Sequence, residues 1–308
     1  MAFTAQDVKT LREKTGVGMM ECKKALAETD GDMDKAFEYL RERGLAAANK
    51  KASRIAAEGA IIAYTDDASK TTVLLEINSE TDFVGKNEKF QEFGISVAKT
   101  IATEKPATVE ALLAANLAGS DRTVEQNLHE MILTIGENLK IRRYEIIEGD
   151  VVTYIHGGGS VGVAVKFEAD EAVSSKPEFV AMGKDVAMQV AAMSPMYTFS
   201  SDVPDDVVAH EKEICMTQLK EDPKMASKPE QVLGKIIEGK IKKYFSEVCL
   251  ADQAFVKDGD VTVAKYIENT AKTLGGSVKL VNFVRYAKGE GLEKREDNFA
   301  DEVAGMMK

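Results

Sequence analysis

The chain has 308 residues, enough for two or three compact units. With 44% hydrophobic and 30% charged residues it has the make-up of an ordinary folded protein, not a disordered or fibrous one. A formal net charge of -11 weighs against direct nucleic-acid binding, which draws on clustered Lys and Arg, and favours a protein partner. Cys22, Cys215 and Cys249 form no C-x-x-C pair, no apolar run approaches the roughly 20 residues that span a bilayer, and no export pattern opens the chain, so a cytoplasmic location without a membrane partner is expected.

In the first 45 residues, turn signals at Thr15-Gly16-Val17-Gly18 and Thr29-Asp30-Gly31-Asp32 separate three short helices. Their apolar positions recur at helical spacing: Val8 and Leu11, then Cys22, Ala25 and Leu26, then Met33, Ala36, Phe37 and Leu40. Gly44 is expected to end the third helix. The Ala-rich, basic stretch that follows has too few large apolar residues for a core and reads as a helical linker between modules.

An internal repeat occupies the middle of the chain. Glu58-Gly59-Ala60-Ile61-Ile62-Ala63-Tyr64 returns as Glu148-Gly149-Asp150-Val151-Val152-Thr153-Tyr154, and Thr72-Val73-Leu74-Leu75-Glu76-Ile77 returns as Gly162-Val163-Ala164-Val165-Lys166-Phe167. The match continues as helix, Phe90, Phe93, Gly94, Val97, Ala98 and Ile101 corresponding to Phe179, Met182, Gly183, Val186, Ala187 and Val190. Each unit reads as strand, turn, strand, helix, so duplicated α+β subdomains are expected.

Between the repeats, Val124, Leu128, Met131, Ile132, Ile135 and Leu139 trace one helical face. After them, Val207 to Leu219 and Val232 to Val248 form two amphipathic arms of a helical hairpin, broken by Pro223 and Pro229. Its apolar seam needs cover from the body of the protein or from a second copy, so a homodimer through this hairpin stays open. Val261 to Phe283 reads as helix, Gly275-Gly276 turn and strand, and Phe299 to Met307 as a closing segment.

Two runs imitate nucleotide-binding motifs. Gly157-Gly158-Gly159-Ser160-Val161-Gly162 satisfies G-x-G-x-x-G, but a strand pattern follows where a helix should start, so a hairpin turn is expected. Gly234 to Lys240 fits most of a Walker A loop, yet Ile241 replaces the Ser or Thr that holds magnesium and no strand precedes it. His129, His156 and His210 lie in different modules without partners at metal-ligand spacing. No cofactor, metal site or covalent chemistry is indicated.

In Ser79-Glu80-Thr81-Asp82-Phe83-Val84-Gly85, an aromatic residue stands among polar neighbours between strand and helix. Phe83 either staples the next helix onto the core, with Val173 near the same place in the second repeat, or is displayed for a partner. This run, Thr15 to Leu26, Ile135-Gly136-Glu137-Asn138 followed by Ile141-Arg142-Arg143, and His156-Gly157 together resemble the signature of bacterial elongation factor Ts, and the resemblance spans the whole chain.

That resemblance implies an α+β protein in six parts: a ubiquitin-associated-like three-helix module over 1–45, a helical linker over 46–57, core subdomain 1 over 58–145, core subdomain 2 over 146–200 and 250–290, a protruding coiled-coil hairpin over 201–249, and a C-terminal module over 291–308. It implies a guanine nucleotide exchange factor for elongation factor Tu. Arg12, Met19, Met20 and Lys23 would grip a helix of the GTPase, Asp82 and Phe83 would press between its helices near the magnesium site, and Thr81 and Val84 beside them would belong to the same contact. Ile135, Gly136 and His156 would meet another part of it, and Val256 a further part, although Lys257 stands where the family has an apolar residue.

Overall fold

The computed structural model describes residues 3–222, 225 and 228–293, so most of the C-terminal module expected over 291–308 lies outside the described residues. Helices α1 (Ala5–Thr15), α2 (Met19–Glu28) and α3 (Met33–Lys51) open the chain. Thr4 and Asp7 close a capping box on α1, Gly16 ends it with a left-handed backbone at φ 70, and Asp32 caps α3 by accepting from the Asp34 and Lys35 N–H groups. Val8, Leu11, Cys22, Ala25, Leu26, Ala36 and Leu40 are buried between the three helices.

Gly44 does not end α3, which runs on for 19 residues to Lys51. A Cβ at Gly44 would stand 3.1 Å from the His129 carbonyl oxygen, so its missing side chain serves close helix packing, not a cap. The stretch read as a linker begins as the second half of this helix, and Ala48 is buried in the next core. Small residues there allow one rigid helix to contribute to two cores.

Strands β1 (Glu58–Asp66) and β2 (Thr71–Ser79) pair antiparallel, with Glu58 opposite Ser79 and Asp66 opposite Thr71. Next come the single turn α4 (Asp82–Gly85), α5 (Glu88–Glu104), α6 (Val109–Ala114), α7 (Val124–Ile135) and strand β3 (Lys140–Glu148). The sheet order is β1-β2-β3, and every residue of the central β2 is buried. Phe90, Phe93, Val97 and Ile101 of α5 join Ile62, Val73, Leu75 and Ile77 in the core. Helix α7 stops at Gly136, φ 87, so Leu139 lies past the helix in which it was expected, buried in the same core just before β3.

The order of elements then recurs. Strands β4 (Asp150–His156) and β5 (Val161–Ala169) precede the single turn α8 (Glu171–Ser174) and α9 (Pro177–Met193). Helices α10 (Asp205–Glu221) and α11 (Glu230–Val248) pack on each other through Leu219, Leu233, Ile237 and Ile241. The short antiparallel pair β6 (Ala254–Phe255) and β7 (Asp258–Thr262), α12 (Val263–Leu274) and β8 (Val278–Ala287) follow, and the second sheet has order β4-β5-β8. Helix and small sheets alternate as in an α+β protein. Gly157 to Gly159 make the β4–β5 turn, and Gly234 to Lys240 lie inside α11, so neither nucleotide-like run precedes a helix start.

The chain divides into two compact units, one from the described residues of Met1–Ile147, Ile155–Gly162 and Tyr286–Lys308, the other from Glu148–Tyr154 and Val163–Arg285. In the first, the buried Glu76 on β2 fastens the segment after β8. It accepts from Arg142 Nη1 at 3.0 Å, Arg143 Nε at 2.6 Å, Asn78 Nδ2 at 3.0 Å and Gly289 N at 2.8 Å. Arg142 Nη2 also donates to Glu290 O, and the Arg143 guanidinium lies 4.1 Å from the Tyr286 ring centre. Burial alone would raise the Glu76 carboxyl, but the Gly289 N–H, Asn78, Arg143 and Arg142 together hold it below the usual glutamate range. Among the described residues, no helix is long and apolar enough to cross a membrane.

Candidate functional site

Among the described residues, Phe83 is the most exposed of the large apolar side chains, at 80%. Its neighbour Val84 is 5% exposed and lies in the first core. In the repeat, Thr81-Asp82-Phe83-Val84-Gly85 aligns with Asp170-Glu171-Ala172-Val173-Ser174, and Val173 is likewise buried. The stapling residue in each unit is therefore the valine, and Phe83 corresponds to Ala172. An exposed phenylalanine where packing asks for nothing larger than alanine is free to serve a partner.

The turn carrying Phe83 is braced. Thr81 N and Thr81 Oγ1 donate to the Glu137 carboxylate at 2.9 and 2.7 Å, Asn138 N donates to Glu80 Oε1 at 2.6 Å, and Asn138 Nδ2 donates to Arg54 O at 2.9 Å. Arg54 Nη1 completes the set at 3.3 Å from Glu80 Oε1. On the other side of the turn, Gln91 Nε2 donates to Gly85 O at 2.6 Å. Lys51 lies close by, held below its ordinary value by burial and by Arg54, against the pull of Glu80 and Glu137. Two sequence-predicted stretches, 79–85 and 135–138, are thus held edge to edge. Sequence reasoning missed Arg54, Glu80 and Glu137 as contributors.

Arg12, Met19, Met20 and Lys23 all lie exposed around the α1–α2 turn, Met19 at 52% and Met20 at 74%. Neither methionine packs in its own module, whose core is closed by Val17, Cys22 and Leu26. Lys89 Nζ near the start of α5 donates to Gly16 O, so this turn abuts the same helix end that follows the Phe83 turn. Exposed methionines are adaptable apolar contacts.

Ile135 is partly buried against the first core and Gly136 is exposed at the end of α7. His156 is exposed at the end of β4, and the turn after it is tied to β1 where Ile61 N donates to Gly159 O at 2.8 Å. Val256, in the second unit, is 50% exposed on the β6–β7 turn. The buried Gln189 holds that turn, accepting from Val256 N at 2.8 Å and donating to Gln253 Oε1 and Ala254 O. Asp185 takes the Lys257 ammonium at 2.7 Å and the Tyr266 hydroxyl at 2.9 Å, and burial with the Asp185 contact leaves Tyr266 pushed up to about 12. Lys257 is therefore occupied by an ion pair at the edge of the turn.

In the first unit, Met19, Met20 and Phe83 are exposed apolar side chains carried on turns, the makings of a docking surface. Among the described residues, no group of three or more His, Cys, Asp or Glu is placed to hold a metal ion.

A family model described as Elongation factor TS matches residues 80–290. The chain is 48% identical over 307 residues to Elongation factor Ts of Clostridium perfringens, with 99% of each chain covered. It is 47% identical over 311 residues to Elongation factor Ts of Syntrophotalea carbinolica, covering all of both, and 47% identical over 309 residues to that of Trichlorobacter lovleyi, covering 99% of this chain and 98% of the relative.

Proposed function

Because this chain belongs to the elongation factor Ts family, we propose that it binds elongation factor Tu loaded with GDP, promotes GDP release by disturbing the phosphate and magnesium site, and holds the empty GTPase until GTP binds. Arg12, Met19, Met20 and Lys23 grip one helix of the GTPase domain, while Asp82 and Phe83 press between its helices, flanked by Thr81 and Val84. Ile135, Gly136 and His156 meet another part of the partner, and Val256 a further part. Helices α10 and α11 form the projecting coiled coil, and the six-part division expected from the sequence describes the working modules.

The mechanism follows from linkage: a factor that binds empty Tu more tightly than GDP-loaded Tu weakens GDP by the same factor. No bond need break. Guanine nucleotides are held largely through phosphate and magnesium contacts, so a small displacement of the elements that make them accelerates release.

The observation that carries this reading is Phe83 itself, 80% exposed on a braced turn where the other repeat has alanine. The experiment is release of fluorescent GDP preloaded on elongation factor Tu. Acceleration on adding this protein is expected, and an unchanged rate would remove the proposal.

A further inference from the structure

We infer that Glu137 and Glu80 are positioning residues that stiffen the Phe83 turn so that it can displace elements of its partner, an inference that rests on the exchange reading above. Two half-buried segments, separated by more than fifty residues of chain, exchange carboxylates: Glu137 receives both donors of Thr81, and Glu80 receives the Asn138 N–H. Bonds to an ionised acceptor are roughly twice as strong as neutral ones, and the reciprocal arrangement fixes each loop against the other.

Thr81 occupies the N-cap position of α4, where a threonine hydroxyl ordinarily accepts from the helix N–H groups. Here it makes no cap bond and donates to Glu137 instead. Helix α4 is a single turn of four residues, too short to hold itself in shape. Its orientation, and that of Phe83, is therefore set by the brace, by buried Val84 and by the Gln91 contact to Gly85 O.

The second repeat supplies a comparison inside the same chain. There the N-cap residue of α8, Asp170, accepts from Ser277 N at 2.9 Å and Ser277 Oγ at 3.1 Å, immediately before β8. Glu137 and Asn138 stand just before β3 in the same way. A tie between the turn and the segment entering the third strand thus belongs to the repeat, and one carboxylate suffices for it. The first repeat has two carboxylates, with Arg54 and Lys51 close by, and it carries Phe83 where the second has Ala172. The extra brace goes with the exposed aromatic residue.

A wedge works only if its base yields less than what it pushes. A loosened Phe83 turn still docks, because the other contacts remain, but it displaces less. The signature is loss of the maximal release rate at nearly unchanged half-saturating concentration.

The test measures release of fluorescent GDP from elongation factor Tu against the concentration of wild type, Glu137→Ala, Glu137→Gln and Asp170→Ala, alone and with Phe83→Ala. Glu137→Ala is expected to lower the maximal rate about tenfold, the equivalent of losing one charge-assisted bond. Glu137→Gln, which keeps an oxygen for Thr81, recovers most of it. Asp170→Ala leaves the maximal rate within about twofold of wild type. With Phe83 already replaced, Glu137→Ala changes nothing further, because it acts through that ring.

A wild-type maximal rate for Glu137→Ala, or an equal loss with and without Phe83, overturns the inference. Hydrogen exchange in the free protein separates it from the exchange reading. Glu137→Ala should expose the amides of residues 81–85 while the β2 amides stay protected, and unchanged protection at 81–85 refutes the brace whatever the GTPase does. A wild type that fails to accelerate GDP release counts against the exchange reading instead.

Discussion

Replacing Glu76 by alanine removes the single acceptor that four donors share. The carboxylate side chain is fully buried, whereas Arg142 and Arg143 are 20% and 31% exposed. Removing one partner of a buried pair costs about 3–5 kcal/mol, and the partial access of water to both guanidiniums places this case near about 3 kcal/mol. The Gly289 N–H, left without its acceptor, belongs to the same loss. At roughly 2–4 °C per kcal/mol for a unit of this size, thermal unfolding followed by circular dichroism should shift down by about 6–12 °C. The isosteric Glu76→Gln keeps one oxygen for Gly289 or Arg143 and should lose about half as much. Limited proteolysis should meanwhile cut Glu76→Ala first in the segment after Tyr286. A Glu76→Ala protein melting within about 1 °C of wild type would show instead that the network contributes nothing net to stability.

Phe83→Ala should change stability by less than about 0.5 kcal/mol, being exposed, while Val84→Ala, which empties a buried site, should cost about 2 kcal/mol; chemical denaturation of the two variants distinguishes them, and the reverse order would return Phe83 to the role of staple. The Glu76 carboxyl is lowered in the folded state, so its stabilisation is fully present above the ordinary glutamate value and is lost as pH falls through the lower folded value. Melting temperatures measured on the acid side should fall more steeply for wild type than for Glu76→Gln, and parallel curves would contradict the assignment. Gln189→Leu leaves the Val256 N–H and the Gln253 amide without their partner and should cost about 2 kcal/mol, with amide exchange of the β6–β7 turn accelerated; unchanged exchange there would mean that the turn holds itself.

The repeat was legible because its apolar spacing survives in both copies, and strand and helix periods differ enough to be read directly. Gly44 was misread because a glycine after a periodic run follows the local rule for a helix end, whereas here the missing side chain answers to His129 on another helix. Phe83 and Val84 are adjacent, and only the aligned Ala172 and Val173, once seen to be exposed and buried as a pair, tell which one staples. The brace had no local signal: Thr81 and Glu137 are 56 positions apart, and acidic residues are common in a chain of this charge. Glu76 did leave one, a lone carboxylate inside the run Val73-Leu74-Leu75-Glu76-Ile77, which demands cations across the sheet such as Arg142-Arg143 provide. The β6–β7 pair and α6 are short and lack a repeating pattern, so they had no period to read.

Central here is the proposal that a single exposed ring on a stiff turn drives nucleotide off the partner. Its most direct test is the maximal rate of fluorescent GDP release from elongation factor Tu with Phe83→Ala in place of wild type, both confirmed folded by their melting curves. A maximal rate reduced by about tenfold or more, with the melting temperature unmoved, is expected. A Phe83→Ala protein that releases GDP as fast as wild type would contradict it.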